Sequence, residues 1–85
     1  MAASQQQKGI EETFLNYVRQ ERMPVTVFLV NGVKLQGVIT WNDHESLLLT
    51  REGMTQMIYK HAVSTVMPVD PMDVSDIVGD DHGNL

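Results

Sequence analysis

Val25-Thr26-Val27-Phe28-Leu29-Val30-Asn31-Gly32-Val33-Lys34-Leu35-Gln36-Gly37-Val38-Ile39-Thr40-Trp41 is the stretch that decides the fold. β-branched and aromatic residues fill both halves. Asn31-Gly32 between them is a strong hairpin signal, because both central positions of a type I′ turn need positive φ. The pattern predicts one strand over 25–30 and a second over 33–41. In the second, Val33, Leu35, Ile39 and Trp41 share one face, while Lys34, Gln36 and Thr40 share the other. By this alternation Trp41 belongs to the core, the alternative being a stacking surface displaced by one residue from Asn42. Gly37 falls mid-strand, where a missing side chain permits a sharp bend.

Downstream, 42–45 reads as a polar turn, 46–50 as a third strand, Glu52-Gly53 as a turn, 54–59 as a fourth strand and 62–67 as a fifth, closed by Pro68. Upstream, Ile10, Phe14, Tyr17 and Val18 fall at i, i+4, i+7 and i+8, which is one helical face. The helix should run from 10 to about 22 and end at Met23-Pro24, since the residue before a proline is pushed out of the α region. Asn16, Arg19 and Gln20 share another helical face, extended by Arg22. An N-terminal α-helix followed by five short, bent strands implies a mainly β chain, a strongly curved antiparallel barrel. So small a barrel leaves strand edges to cover, and self-association through them is expected.

The chain has 85 residues, enough for one small domain. It contains no cysteine, which excludes disulfides and cysteine-based zinc sites. No apolar run reaches membrane-spanning length, and the polar N-terminus has no hydrophobic signal region, so no membrane role and a cytoplasmic location are expected. The net charge of −5 argues at first against a partner as acidic as nucleic acid. However, residues 1–67 balance six basic against six acidic side chains, and the excess comes from Asp70, Asp73, Asp76, Asp80 and Asp81. The chain divides into a flexible segment over 1–9, a nearly neutral domain over 10–68 and an acidic tail over 69–85. Within the tail, Asp70 as cap, Pro71 as first helical residue, Asp73 in the first turn and Gly79 as terminator outline a short helix, with Val74, Ile77 and Val78 as its apolar stripe. So short a helix is unstable alone, and a mostly disordered tail is the expectation.

Catalysis is not expected. Asp43-His44-Glu45, with His61 and His82 elsewhere, matches no metal-ligand spacing, and there is neither a glycine-rich phosphate loop nor a nucleophile motif. No cofactor, metal or catalytic residue is therefore assigned.

Two motifs carry a resemblance: Val30-Asn31-Gly32-Val33-Lys34-Leu35-Gln36-Gly37, and Tyr59-Lys60-His61-Ala62-Val63-Ser64-Thr65-Val66. With Phe14-Leu15-Asn16 and Arg19-Gln20-Glu21-Arg22 upstream, the chain resembles the Hfq family of bacterial Sm-like RNA chaperones over roughly residues 11–68. The resemblance implies a five-stranded Sm-like (SH3-like) barrel assembled as a homohexameric ring through strand edges. It also implies binding of small regulatory RNA and mRNA, and promotion of their pairing.

Family positions for adenine-rich RNA, on the distal face, correspond to Phe28, Gly32, Val33, Lys34, Leu35, Gln36, Gln56, Ser64 and Thr65. An aromatic ring stacks on a base, and a glutamine amide both donates to and accepts from an adenine edge. The proximal, uridine-binding positions correspond to Lys60 and His61, with His44 as a possible stacking ring. Glu45 stands where the family places an aromatic residue, Glu11 where it often has an amide, and Asn42 where it often has a rim phenylalanine. Six copies of Glu45 would offset six of Lys60. The rim positions are Asn16, Arg19 and Arg22, with Gln20 where a further basic residue is common. Adenine-rich binding should therefore dominate. The acidic tail either competes with RNA for the rim arginines or serves solubility. The alternative function is an Sm-like ring that acts mainly as a protein-interaction scaffold, with Met54, Met57 and Met67 as adaptable contacts.

Overall fold

A computed structural model describes residues 9–78. Helix α1 spans Ile10–Gln20. Five strands follow: β1 Pro24–Leu29, β2 Lys34–Asn42, β3 Ser46–Arg51, β4 Met54–Tyr59 and β5 Val63–Pro68. A 3-10 turn over Lys60–Ala62 joins β4 to β5, and a four-residue helix α2, Ser75–Val78, comes last. The strands form one antiparallel sheet in the order β4-β3-β2-β1-β5, so β4 and β5 are its edges.

The helix ends two residues before the expected boundary. Met23 N–H reaches back to Val18 C=O at 3.0 Å and Arg22 N–H to Arg19 C=O at 3.1 Å. This is a Schellman ending, with Arg22 in the left-handed position at φ 55° that glycine usually takes. The inward face also differs from expectation. Leu15 and Val18 are buried, whereas Ile10, in the first turn, is exposed. Phe14 and Tyr17 pack at the margin.

The core is Leu15 and Val18 from α1, Val25 and Val27 from β1, Ile39 from β2, Leu47 and Leu49 from β3, and Ile58 from β4. Period-two alternation explains the pairs in β1 and β3. Trp41 does not join them and is 53% exposed. Ile39 faces Leu49 and Trp41 faces Leu48, so Thr40 is an extra residue in the ladder. That bulge breaks the alternation and turns the indole outward. Its Nε1–H donates to Asp43 Oδ2 at 3.2 Å.

The turn chemistry is redistributed. At Asn31-Gly32 only Gly32 has positive φ, 95°. Gly32 N–H donates to Leu29 C=O at 2.9 Å and Leu29 N–H to Val33 C=O at 2.8 Å, which makes a three-residue loop with a glycine bulge instead of a type I′ turn. Positive φ at both central positions occurs instead between β3 and β4, at Glu52 (51°) and Gly53 (83°). Gly37 bends β2 by close approach. A Cβ there would lie 2.6 Å from the Thr50 carbonyl oxygen.

The tail departs from the disordered expectation over its described part. Met72 packs against the core. Asp73, not Asp70, takes the cap role: its Oδ1 accepts from Ser75 N–H at 3.1 Å. Pro71 precedes the helix, and Gly79 lies outside the described residues. α2 rests on α1. Desolvation pushes the Tyr17 phenol above its ordinary value, with the carboxylates of Asp76 and Glu21 adding to the shift. No helix of the described residues is long and apolar enough to cross a membrane.

Candidate functional site

The residues expected to bind adenine-rich RNA line two shallow hollows on one face. The first is formed by Phe28, Leu29, Val30, Gly32, Ser64, Thr65 and Met67. Its floor comes from strand register. Phe28 faces Thr65 while Leu29 faces Val63, so Ser64 bulges. The two hydroxyls lie together, Ser64 Oγ to Thr65 Oγ1 at 3.2 Å. The glycine loop beside it is fixed from below by Val30 N–H donating to Ala62 C=O at 2.8 Å.

The second hollow holds Lys34, Leu35, Gln36, Leu49, Arg51, Glu52, Met54 and Gln56. Lys34 connects the two, since it faces Phe28 across the β1–β2 ladder and its ammonium lies 6.0 Å from the Phe28 ring centroid. Gln36 Nε2 donates to Thr26 Oγ1 at 3.3 Å, which fixes the amide with one hydrogen used. Val33 is exposed beside the loop and lines neither hollow.

A separate hollow brings His44, Glu45, Tyr59, Lys60 and His61 together. The 3-10 turn presents Lys60 and His61 in succession, and Glu45 C=O accepts from Lys60 N–H at 2.8 Å. His61 stacks on Tyr59, with ring centroids 5.6 Å apart. Within one chain the carboxylate that meets Lys60 is not that of Glu45. Glu45 Oε2 lies 3.7 Å from His44 Nε2, both exposed. Glu11 Oε2 instead meets Lys60 Nζ at 2.9 Å.

The loop carrying His44 is held by Asp43. Its Oδ1 accepts from Glu45 N–H and Ser46 N–H, each at 2.9 Å. Together with the Trp41 indole, these donors hold its carboxyl at about 2, well below the usual carboxylate range.

At the rim, Arg19 Nε donates to Asn42 Oδ1 at 2.8 Å and Nη2 to Asn16 Oδ1 at 3.2 Å. Asn42 Nδ2 closes the triangle on Asn16 at 3.0 Å. Arg22 is exposed and makes no ion pair among the described residues. Nor do Asp70, Asp73 or Asp76 pair with either arginine, and Asp80 and Asp81 lie outside the described residues. Reading the sequence missed the role of Asn42 as a clamp and the pairing of Glu11 with Lys60. Both join residues far apart in the chain, and neither leaves a local pattern.

The family model described as "Hfq protein" matches residues 10–73. The chain belongs to the Hfq family. It is 58% identical over 74 residues to the RNA-binding protein Hfq of Granulibacter bethesdensis, covering 87% of this chain and 80% of the relative. To the RNA-binding protein Hfq of Cereibacter sphaeroides it is 53% identical over 81 residues, covering 95% and 100%. A crystal structure of Hfq, titled a pleiotropic translational regulator, superposes with a TM-score of 0.67 at 36% identity, covering 69% of this chain and 98% of that one. The helix and five antiparallel strands are thus those of the Hfq fold, and none of these Hfq relatives is named for a reaction.

Proposed function

We propose that this chain binds RNA and acts after transcription as Hfq-type proteins do, holding small regulatory RNA and mRNA together in the cytoplasm. Adenine-rich RNA is its preferred ligand. The observation that carries this reading is the position of the two hollows on one face. One reaches edge strand β5 through Ser64, Thr65 and Met67, the other edge strand β4 through Met54 and Gln56. Pairing β4 of one copy with β5 of the next builds a homohexameric ring and joins the hollows into one composite pocket. The exposure of Met54, Met57, Tyr59 and Met67 is what such edges would cover.

In that pocket Phe28 stacks on a purine, Gln36 and Gln56 read its edge, and Lys34 neutralises phosphate. Uridine-rich RNA binds weakly at Lys60 and His61, because Glu45 cannot stack. The rim, with Arg19 and Arg22 as its cations, anneals RNA less strongly than an arginine-rich one.

Labelled adenine-rich and uridine-rich oligomers, titrated separately, test this. The adenine-rich oligomer should bind clearly and the uridine-rich one weakly. Phe28→Ala should cost about 1–3 kcal/mol of adenine-rich affinity. Gln36→Ala, at an exposed position, should weaken it without loss of fold. Binding of neither oligomer at low salt would favour the protein-scaffold reading.

A further inference from the structure

Lys60 is the cation on its face of the molecule, yet its charge is already engaged. Its side chain is only 14% exposed, and its ammonium sits 2.9 Å from the carboxylate of Glu11, which is 67% exposed. Glu11 lies in the first turn of α1, where the helix dipole favours a negative charge and holds it in place. The adjoining hollow is lined by Gly9, Glu11, Glu12, Asn42, Asp43, His44 and Lys60, so further carboxylates border the pair. A carboxylate only accepts hydrogen bonds. It cannot donate to a base carbonyl or a phosphate, as an amide at this place would. An incoming RNA must therefore displace Glu11 from Lys60 or lie beside its uncompensated charge.

We propose that Glu11 is the specificity-determining residue of the Lys60–His61 face, an intramolecular counter-ion that occupies Lys60 and turns uridine-rich RNA away. The inference rests on the RNA-binding reading above, and it adds the Glu11–Lys60 ion pair to the missing stacking ring at Glu45 as a second cause of the weakness of this face. Glu11 acts by competition, so its removal is a gain of function, which damage to the fold does not imitate.

The test compares the full chain with Glu11→Gln, Glu12→Gln and the double variant Glu11→Gln/Lys60→Ala. Binding of a uridine-rich oligomer is measured over a range of salt concentrations, with an adenine-rich oligomer run in parallel. Glu11→Gln should tighten uridine-rich binding about tenfold. It should also steepen the salt dependence by about 0.7 in log–log slope for each Lys60 newly engaged on a single strand. Glu12→Gln makes the same charge change at a neighbouring residue that has no ion pair among those described. It should change affinity by less than about twofold. Removing Lys60 should erase the gain.

An unchanged affinity in Glu11→Gln, an equal gain in Glu12→Gln, or a gain that survives loss of Lys60 would each overturn the inference. Intact adenine-rich binding alongside any of these results would confine the failure to Glu11. Absence of binding to both oligomers in all variants would reject this inference and the RNA-binding reading together.

Discussion

Asp43 shows how much one side chain organises. Its carboxylate closes the turn between β2 and β3 by taking the backbone N–H groups of Glu45 and Ser46, and it anchors the exposed indole of Trp41. These bonds favour the ionised form, chiefly the one from Glu45, and lower the carboxyl to about 2. A depressed folded-state value stabilises the turn fully above the ordinary carboxylate range, and that contribution is lost as pH falls through about 2. Followed by NMR, the Asp43 carboxyl should titrate near 2; titration at an ordinary aspartate value would remove the turn from the account. Arg22 makes the opposite point. It occupies a left-handed helix ending at φ 55°, at a conformational cost to any residue with a Cβ. Arg22→Gly should raise stability in urea by up to about 1 kcal/mol and yet weaken RNA binding through loss of a rim cation. The polar turn over 42–45 was legible beforehand, but neither the carboxylate that closes it nor the left-handed helix ending was, because both are set by local geometry that composition does not encode.

Among the elements, β2 carries the most consequence. Its first half pairs with β1 and its second half crosses to β3, with the bend at Gly37. The sequence signalled that bend through a lone glycine in a strand pattern. The contact that requires it, with Thr50 on β3, needed the third dimension. Gly37→Ala should destabilise the fold by ~1–3 kcal/mol in urea unfolding, because the new methyl meets backbone that cannot move aside. A neutral result would mean that the bend is looser than drawn. Strand number and most boundaries were readable from alternation and turn residues. Trp41 was not, since one extra residue at Thr40 reverses the side it faces. The Asn31-Gly32 signal placed a hairpin correctly but named the wrong turn; both positive-φ positions of a two-residue turn occur at Glu52-Gly53, where glutamate gives no such signal. The described part of the tail differs from expectation for another reason. Met72 gains its packing from the core, which a local helix argument does not see.

For the molecule as a whole, charge and site placement have to be taken together. The negative balance belongs to the last eighteen residues, and the remainder is neutral. A neutral body gives little general attraction for RNA, so affinity must come from shaped pockets that stack and read bases. Most residues for such pockets lie in two motifs, 30–37 and 59–66, with Phe28 and Gln56 outside them. Their division between two hollows, one toward each sheet edge, was not legible there, because it follows from strand order. On this account the adenine pocket exists only where two copies meet. The most direct measurement is a crystal structure of the full chain with an adenine-rich oligomer. The expected result is a ring in which each purine lies between Phe28 of one copy and Gln56 of its neighbour. RNA seated only along Lys60 and His61, or a chain that crystallises with RNA without forming β4–β5 pairs between copies, would contradict it.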